Sequence, residues 1–493
     1  QVLSHIVICA YMLFYMSCTS CTDKPLSGTP EPDGGHVLAD EMEYYEFAPQ
    51  IMESTKYTVK ANGTYIFVYP TIEPHLAWVG AGEGKVKCEI TLHDAEASSV
   101  VVHPVAKNYE QSFSDGKLTL YLEAYDRVSV EFNGDMDNPL FLFVNPIDSE
   151  KPSKDDPSVL YFEGGKVHEA GAITLTPECR EVYLEPGCIV NGTIFGRDVN
   201  GVKIHGGGFL NTYNCARSDN EFYQPFSIAL ARCENSEVRD ITNLSNSGGW
   251  ESLYTNCHNS NIINVKTLGT NSAPGVKTNN DSMDIIGGIN VHVSKCFLYG
   301  HDDCYCLKSQ KFKLKGDVDG IWYEDCIGWN VDAGNTFEIG YETNVDIRNV
   351  HYRDIYAIHS GTGTSDLRRA GLSIHNGAAG TVSNVTYENA YLEDVMEFAV
   401  YLACLKHNYN IGYDDEGNAL TYSPGRIDGV TYTNVNVMSV REGKGLCVIQ
   451  GYDASHNVSN VTFNGFSYLG RQVTSLDDAI WKTKRNYSDI NFN

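Results

Sequence analysis

From about Val159 to the C-terminus, apolar and polar residues alternate in short runs, and the runs recur. The frame x-V/I-x-Y/F-x-N/D appears in GIWYEDCIG at Ile321, NVHYRDIYA at Val350, NVTYENAYL at Val385, GVTYTNVNV at Val430 and NVTFNGFSY at Val461. Weaker copies stand at Val202, Val238, Val265 and Val291. Intervals are mostly 26 to 36 residues, with one of 45 between Val385 and Val430, where LKHNYNIGYDDEGNALTYSPG reads as a loop inserted into one coil. Period-two alternation predicts strands, and no amphipathic helical period competes with it. A fixed repeat of short strands punctuated by Asn and Gly predicts a solenoid in which each turn buries its apolar face only against its neighbours. Residues 158–493 are therefore expected to form a right-handed parallel β-helix.

Upstream the rhythm changes. TKYTVKANGTYIFVYP, KVKCEITLHD, SSVVVHP, KLTLYLEAYDRVSVEFNG and PLFLFVNP are short alternating segments between turn signals, which predicts a β-sandwich over 41–148. SEKPSKDDP then reads as a linker. The chain is expected to be all-β, a sandwich followed by a β-helix. At the start, Val2 to Tyr15 is an apolar run of signal-peptide length, short for a membrane span. MSCTSC, which follows it, resembles a bacterial lipoprotein cleavage site, with Cys18 favoured over Cys21 as the lipidated residue. Residues 1–21 are assigned to this leader and 22–40 to a flexible tether. Export follows from either a lipoprotein or an ordinary secretory leader, with membrane attachment in the first case.

Composition narrows the partners. The 63 acidic against 36 basic residues give a formal charge of −27, which repels a polyanion such as nucleic acid. The 45 Gly and 31 Tyr suit turn-rich β structure. Of 15 cysteines, those beyond the leader show no CxxC pair and no His/Cys metal spacing. They are expected mainly as core fillers, with a minority of possible bridges. No metal and no cofactor are expected, and a monomer is.

The candidate chemistry sits between Thr278 and Ser309. Asp281 precedes the pair Asp302 and Asp303 by 21 and 22 residues, a spacing that puts them on neighbouring rungs about 4.8 Å apart. Crowded carboxylates have pKa values driven apart, the condition for one acid and one base. Hydrolysis with inversion asks for a gap of roughly 6.5–9.5 Å between them, which rung-to-rung placement is expected to supply. An isolated Asp pair at a bend is more often a solvated turn, so the local wording matters.

Asn280-Asp281-Ser282-Met283-Asp284 and Gly300-His301-Asp302-Asp303-Cys304 resemble the N-T-D-G-x-D and x-x-D-D-C signatures of glycoside hydrolase family 28, the polygalacturonases and their relatives. That resemblance implies a right-handed β-helix and an inverting glycosidase, with Asp302 as general acid and Asp281 and Asp303 positioning and activating water. Two departures stand out. Asn335, in Gly334-Asn335-Thr336, replaces the family His, and Ser373-Ile374-His375 replaces the R-I-K element that grips a galacturonate carboxylate. A pocket without that Arg and Lys lacks the electrostatic basis for an acidic sugar. The domain order is similar to that of glycoside hydrolase family 49, the dextranases and isopullulanases, which act on neutral glucans.

The expected activity is hydrolysis of O-glycosidic bonds in a polysaccharide other than plain polygalacturonate. Asn280, His301, Lys308, Asn335, Glu338, His375 and Tyr452 are the expected substrate contacts. Trp250, Trp322 and Trp329 are either sugar platforms or core residues. The alternatives are a glycan-binding protein on the same scaffold and a polysaccharide lyase, although no calcium cluster separate from these acids supports the latter.

Overall fold

A computed structural model describes residues 35–493, apart from 213–214, 216–225, 246–248, 270–279, 312, 362–368, 407–411, 415 and 442–444. The leader with Cys18 and Cys21, and the tether up to residue 34, lie outside the described residues. Leu38–Asn493 form one compact unit.

The repeat is a coil of stacked parallel strands, a parallel β-helix. Twenty-seven strands, from Val159–Phe162 to Tyr487–Phe492, join into one sheet that winds through successive turns. Val293, Tyr323, Tyr352, Tyr387, Tyr432, Phe463 and Phe492 fall in one column of the register. From Tyr323 onward their rings stack at 4.6–4.9 Å between centroids. That distance is the strand spacing itself, so one aromatic per coil fills the interior without strain. At the bends asparagines adopt left-handed backbone, as at Asn259, Asn290, Asn389 and Asn434. Their amides bond down the stack, Asn290 to Asn259 at 2.9 Å and Asn434 to Asn389 at 2.8 Å, which satisfies the polar edge of each turn.

The strong copies of the sequence frame and Val291 share one column, Val291–Ile321–Val350–Val385–Val430–Val461. Three weaker copies do not. Val238 pairs with Ile262 and through it with Val293, two residues further along. Val202 and Val265 only precede the strands Lys203–His205 and Lys266–Gly269. A two-residue slip keeps the same face inward, so alternation alone cannot fix register where no aromatic column anchors it. The 45-residue interval holds the segment 405–425 between the strands Phe398–Cys404 and Arg426–Val437. It returns to the coil where Gln310 Nε2 donates to the Tyr413 carbonyl at 3.0 Å.

Two further sheets precede the coil. One holds six strands, with Met42–Tyr44, His75–Ala81, Leu140–Pro146, Arg127–Phe132 and Val100–His103 in that order and Val68–Pro70 beside His75–Ala81; the other holds five. They share a core that includes Val59, Ile90 and Leu118 from one sheet and Val79, Val130 and Leu142 from the other. Strands of the five-stranded sheet bury alternate residues, whereas His75–Ala81 and Arg127–Phe132 are buried on both faces. The second face of the six-stranded sheet explains this: Leu76, Trp78, Phe141 and Phe143 pack on Phe209, Leu244, Leu268, Phe297 and Ile327 of the coil. Trp78 Nε1 donates to Thr242 Oγ1 at 3.1 Å. At about 2–3 kcal/mol for each buried large apolar side chain, this contact holds the sheet firmly against the coil.

All twelve described cysteines are unpaired thiols and most are buried, so among the described residues they fill the core and make no bridges.

Candidate active site

Strands Met283–Ser294, Tyr305–Lys308, Phe337–Tyr341 and Ala370–Asn376 lie side by side on one face of the coil. Met283, Ile285, Tyr305, Leu307, Phe337, Ile339, Leu372 and Ile374 belong to the interior core. Alternation then turns Asp284, Cys306, Lys308, Glu338, Ser373 and His375 to the outer face. Asp284, Cys306, Glu338 and Ser373 stand in one register column. Asp281 and the Asp302–Asp303 pair lie just ahead of the first two strands, clamped by backbone bonds from Ser282 N to the Asp303 carbonyl at 2.8 Å and from Asp302 N to the Asn280 carbonyl at 3.1 Å.

The three expected acids meet. One carboxylate oxygen from each of Asp281, Asp302 and Asp303 lies within 4.8 Å of the other two. At these oxygens the approach is shorter than the gap expected from the sequence. Asp281 and Asp303 are buried and Asp302 is partly exposed. Gly334 makes the approach possible: at a φ of +70°, a Cβ there would fall 2.4 Å from Asp302 Oδ1.

Asp284 and Lys308 complete the centre. Lys308 Nζ lies 2.8 Å from Asp284 Oδ1, 3.4 Å from Asp281 Oδ2 and 4.6 Å from the Trp250 ring centre. Burial and the neighbouring Asp284 charge push Asp281 well above the usual carboxylate range, against the pull of Lys308. Burial and the Asp303 charge do the same to Asp302. Asp303 is raised by burial and by Glu338 but is drawn back by Lys308 and by Asn335, whose backbone N and Nδ2 donate to Asp303 Oδ1 at 2.7 and 3.0 Å. Asp284 is pushed by burial up to about 6, with Lys308 opposing. Lys308 is held charged by Asp284, Cys306 and Asp281, which outweigh its own burial. Among the described residues the acids here outnumber the cations beside them, so the group must hold protons at neutral pH, and the Asp303 bonds favour its ionised form.

The other expected contacts divide. Glu338 and His375 are fully buried and joined, with His375 Nδ1 3.0 Å from both Glu338 oxygens and Ser373 Oγ donating to Glu338. Burial pushes Glu338 up to about 8, with the Ser373 bond opposing. His375 stacks on Tyr341 at 4.5 Å between centroids. Asn335 stands at the acids, bonding Asp303. Asn280 is buried next to Asp281. His301 turns away from the acids, its Nε2 3.0 Å from the Glu73 carboxylate of the preceding sheets. Tyr452 does not join them: it follows the strand Leu446–Gln450, four coils beyond Tyr305–Lys308 in the stack, or roughly 19 Å along the axis. Trp250 borders the centre, whereas Trp322 stacks on His351 at 4.0 Å and Trp329 is buried against the six-stranded sheet.

Sequence reasoning passed over Asp284 and Glu73. Asp284 was legible as the final acid of the quoted motif. Glu73 had no signal, since its contact spans 228 positions.

Fold and site together define a parallel β-helix with a buried, acid-crowded centre on one outer face. The chain belongs to glycosyl hydrolases family 28, whose model matches residues 184–467, more than half of the chain. It is similar to endopolygalacturonase II of Aspergillus niger, 26% identical over 165 residues that cover 33% of this chain and 38% of that protein. A probable endopolygalacturonase II of Aspergillus kawachii is 25% identical over 37% of this chain and 44% of its own length. The chain thus spans under half the length of the curated relatives it matches. Among solved structures, Dex49A from Penicillium minioluteum superposes with a TM-score of 0.60 at 15% identity, covering 92% of this chain and 99% of that one. This whole-length likeness concerns fold, including the sheets ahead of the coil, and accords with the resemblance to family 49.

Proposed function

We propose that the protein hydrolyses O-glycosidic bonds of a polysaccharide, with Asp302 donating a proton to the leaving oxygen and Asp303 and Asp281 holding and activating water. The observation that carries the proposal is the convergence of three carboxylates from two coils within 4.8 Å. Asp302 suits the acid, because it is the partly exposed member and burial and Asp303 keep it protonated. Asp303 suits the base, because Asn335 stabilises its ionised form. Inversion follows the family resemblance. Inversion asks for the water on the side of the sugar ring away from Asp302, where Asp281 and Asp303 would hold it.

The substrate is inferred to be a neutral or lightly charged glycan. Where R-I-K would present two cations, Ser373 and His375 bond to Glu338, and Lys308 is occupied by Asp284 and Asp281. An acidic sugar would meet acids there. The two sheets ahead of the coil are read as a sandwich module bordering this face through Glu73. Export, and lipidation at Cys18 or Cys21, rest on the leader sequence alone. The test is product analysis on neutral glucans and galactans beside polygalacturonate, with proton NMR of the first anomer released. Release of the inverted anomer from a neutral polymer is expected. Polygalacturonate as the preferred substrate would refute the substrate reading, and a retained anomer would refute the mechanism.

A further inference from the structure

A second buried cluster lies where the six-stranded sheet meets the coil, far along the chain from the acid centre. His103 and Glu131 come from adjacent strands of the sheet and His359 from the strand Ile347–Ser360 of the coil. All three are buried, at 8%, 4% and 3% exposure. His359 Nε2 is 3.0 Å from Glu131 Oε1, and His103 Nε2 is 3.6 Å from Glu131 Oε2. The three donor atoms lie within 4.8 Å of one another.

The far sides of the rings are fixed independently. His103 Nδ1 is 2.5 Å from Glu393 Oε2, and Glu393 is itself held by the backbone N–H groups of Val105 and Ala106, each at 3.1 Å. His359 Nδ1 is 2.8 Å from Asp394 Oδ2, and Arg441 Nη2 donates to that oxygen at 2.8 Å. Ser129 Oγ donates to Glu131 Oε1 at 3.0 Å. A histidine that ligates a metal ordinarily donates its other N–H to a carboxylate in this way, which fixes tautomer and ring orientation. With Nδ1–H so engaged, each Nε2 faces the Glu131 carboxylate, a contact that requires positive charge, supplied by a proton on each Nε2 or by one metal ion shared between them.

We propose that His103 Nε2, His359 Nε2 and the Glu131 carboxylate bind one divalent transition ion of the zinc type, clipping the six-stranded sheet to the coil. Two imidazoles and a carboxylate are a zinc ligand set, and the remaining position falls to a water or to the second oxygen of Glu131. Ligand atoms at about 2.0–2.1 Å from a tetrahedral ion stand about 3.3 Å apart; His359 Nε2 is 3.0 Å from Glu131 Oε1 and His103 Nε2 is 3.6 Å from Oε2, so each nitrogen stands near that distance from a different oxygen of the one carboxylate. The ion would join residues 228 positions apart in sequence, from Glu131 to His359.

The full chain would be stripped with a chelator and titrated with zinc alone, then read by metal analysis after gel filtration and by thermal unfolding. One zinc per chain and a rise in the thermal midpoint of about 3 °C or more are expected, with both lost in His359→Gln. Cobalt in place of zinc should give the visible bands of a tetrahedral nitrogen and oxygen site without a thiolate charge-transfer band, a readout on the wild type that holds even if His359→Gln fails to fold. No stoichiometric uptake by the wild type would overturn the proposal, leaving two protons as the positive charge. Zinc retained by a folded His359→Gln, or a cobalt spectrum of thiolate or all-oxygen ligation, would overturn it equally.

Discussion

The protein buries two groups of carboxylates and treats them in opposite ways. At the outer face of the coil, Asp281, Asp284, Asp302 and Asp303 share Lys308, and all four are pushed upward by burial and by neighbouring carboxylates, Glu338 in the case of Asp303. Where sheet meets coil, Glu131, Glu393 and Asp394 stand among His103, His359 and Arg441. There, against the opposing effect of burial, the contacts with His103 and His359 hold Glu131 below the carboxylate range, and the bonds from His359 and Arg441 hold Asp394 down at about 2. Burial is shared, so it does not decide the outcome; the number of bases against the number of acids does. A shortage of cations leaves the first group with protons to give. Matched charges make the second a fixed joint.

The sharpest break of that contrast is Asp302→Asn, which removes the ionisable group of the partly exposed acid while preserving shape. Sugar release should fall about 10²–10⁴-fold with little change in the thermal midpoint, as scored by reducing-end assay and calorimetry. Full activity in the variant would remove Asp302 from the chemistry. Lys308→Met comes next, since it takes the cation out of the acid-rich group. Lys308 lowers Asp281, Asp284 and Asp303, so without it their pKa values rise and the base ionises only at higher pH. The acidic limb of the pH–rate profile should therefore move upward by about one unit or more, and an unmoved limb would show that Lys308 does not set the charge of the base. In the matched group, Asp394→Asn weakens the bonds to His359 and Arg441. A loss of about 2 kcal/mol in denaturant unfolding is expected, with the pH–rate profile unchanged.

How much of this was legible in the sequence differs between the two groups. The acid centre was readable because its members lie 21 and 22 residues apart in a repeat, so one coil period sufficed to bring them together. The later coils were readable because Tyr352, Tyr387, Tyr432 and Phe463 recur at the same place in the frame, whereas Val202, Val238 and Val265 misled because nothing aromatic marks their register. The His103–Glu131–His359 cluster and the Glu73–His301 contact left no trace in spacing, because they depend on how one sheet docks on another. The run PLFLFVNP held a hint: strand Leu140–Pro146 is apolar on both faces, which a strand covered on one side only would not need.

A carboxylate outside both groups carries the comparison to its limit. Glu251 is fully buried at the start of the strand Ser252–Ile263, and its backbone N donates to the Asp281 carbonyl at 2.8 Å. Among the described residues no charged group contributes to its proton affinity; burial pushes it up to about 8, and a bond from Ser245 opposes. It is the zero-cation member of a series that runs from matched charges through Lys308 to none. The sign of the effect follows from linkage: a folded pKa above the unfolded one means that the folded chain keeps a proton the unfolded chain releases. The stability tied to that proton is complete below about pH 4.5 and is lost as pH rises toward about 8. Glu251→Gln has the same shape and nothing to ionise, so it escapes that loss. The variant should match the wild type near pH 4.5 and exceed it by about 1 kcal/mol or more at pH 8, as read from urea midpoints across the range. A constant offset at every pH would mean that Glu251 is ionised in the folded protein, and the rule that cation count sets the proton state of these buried acids would fail at its simplest case.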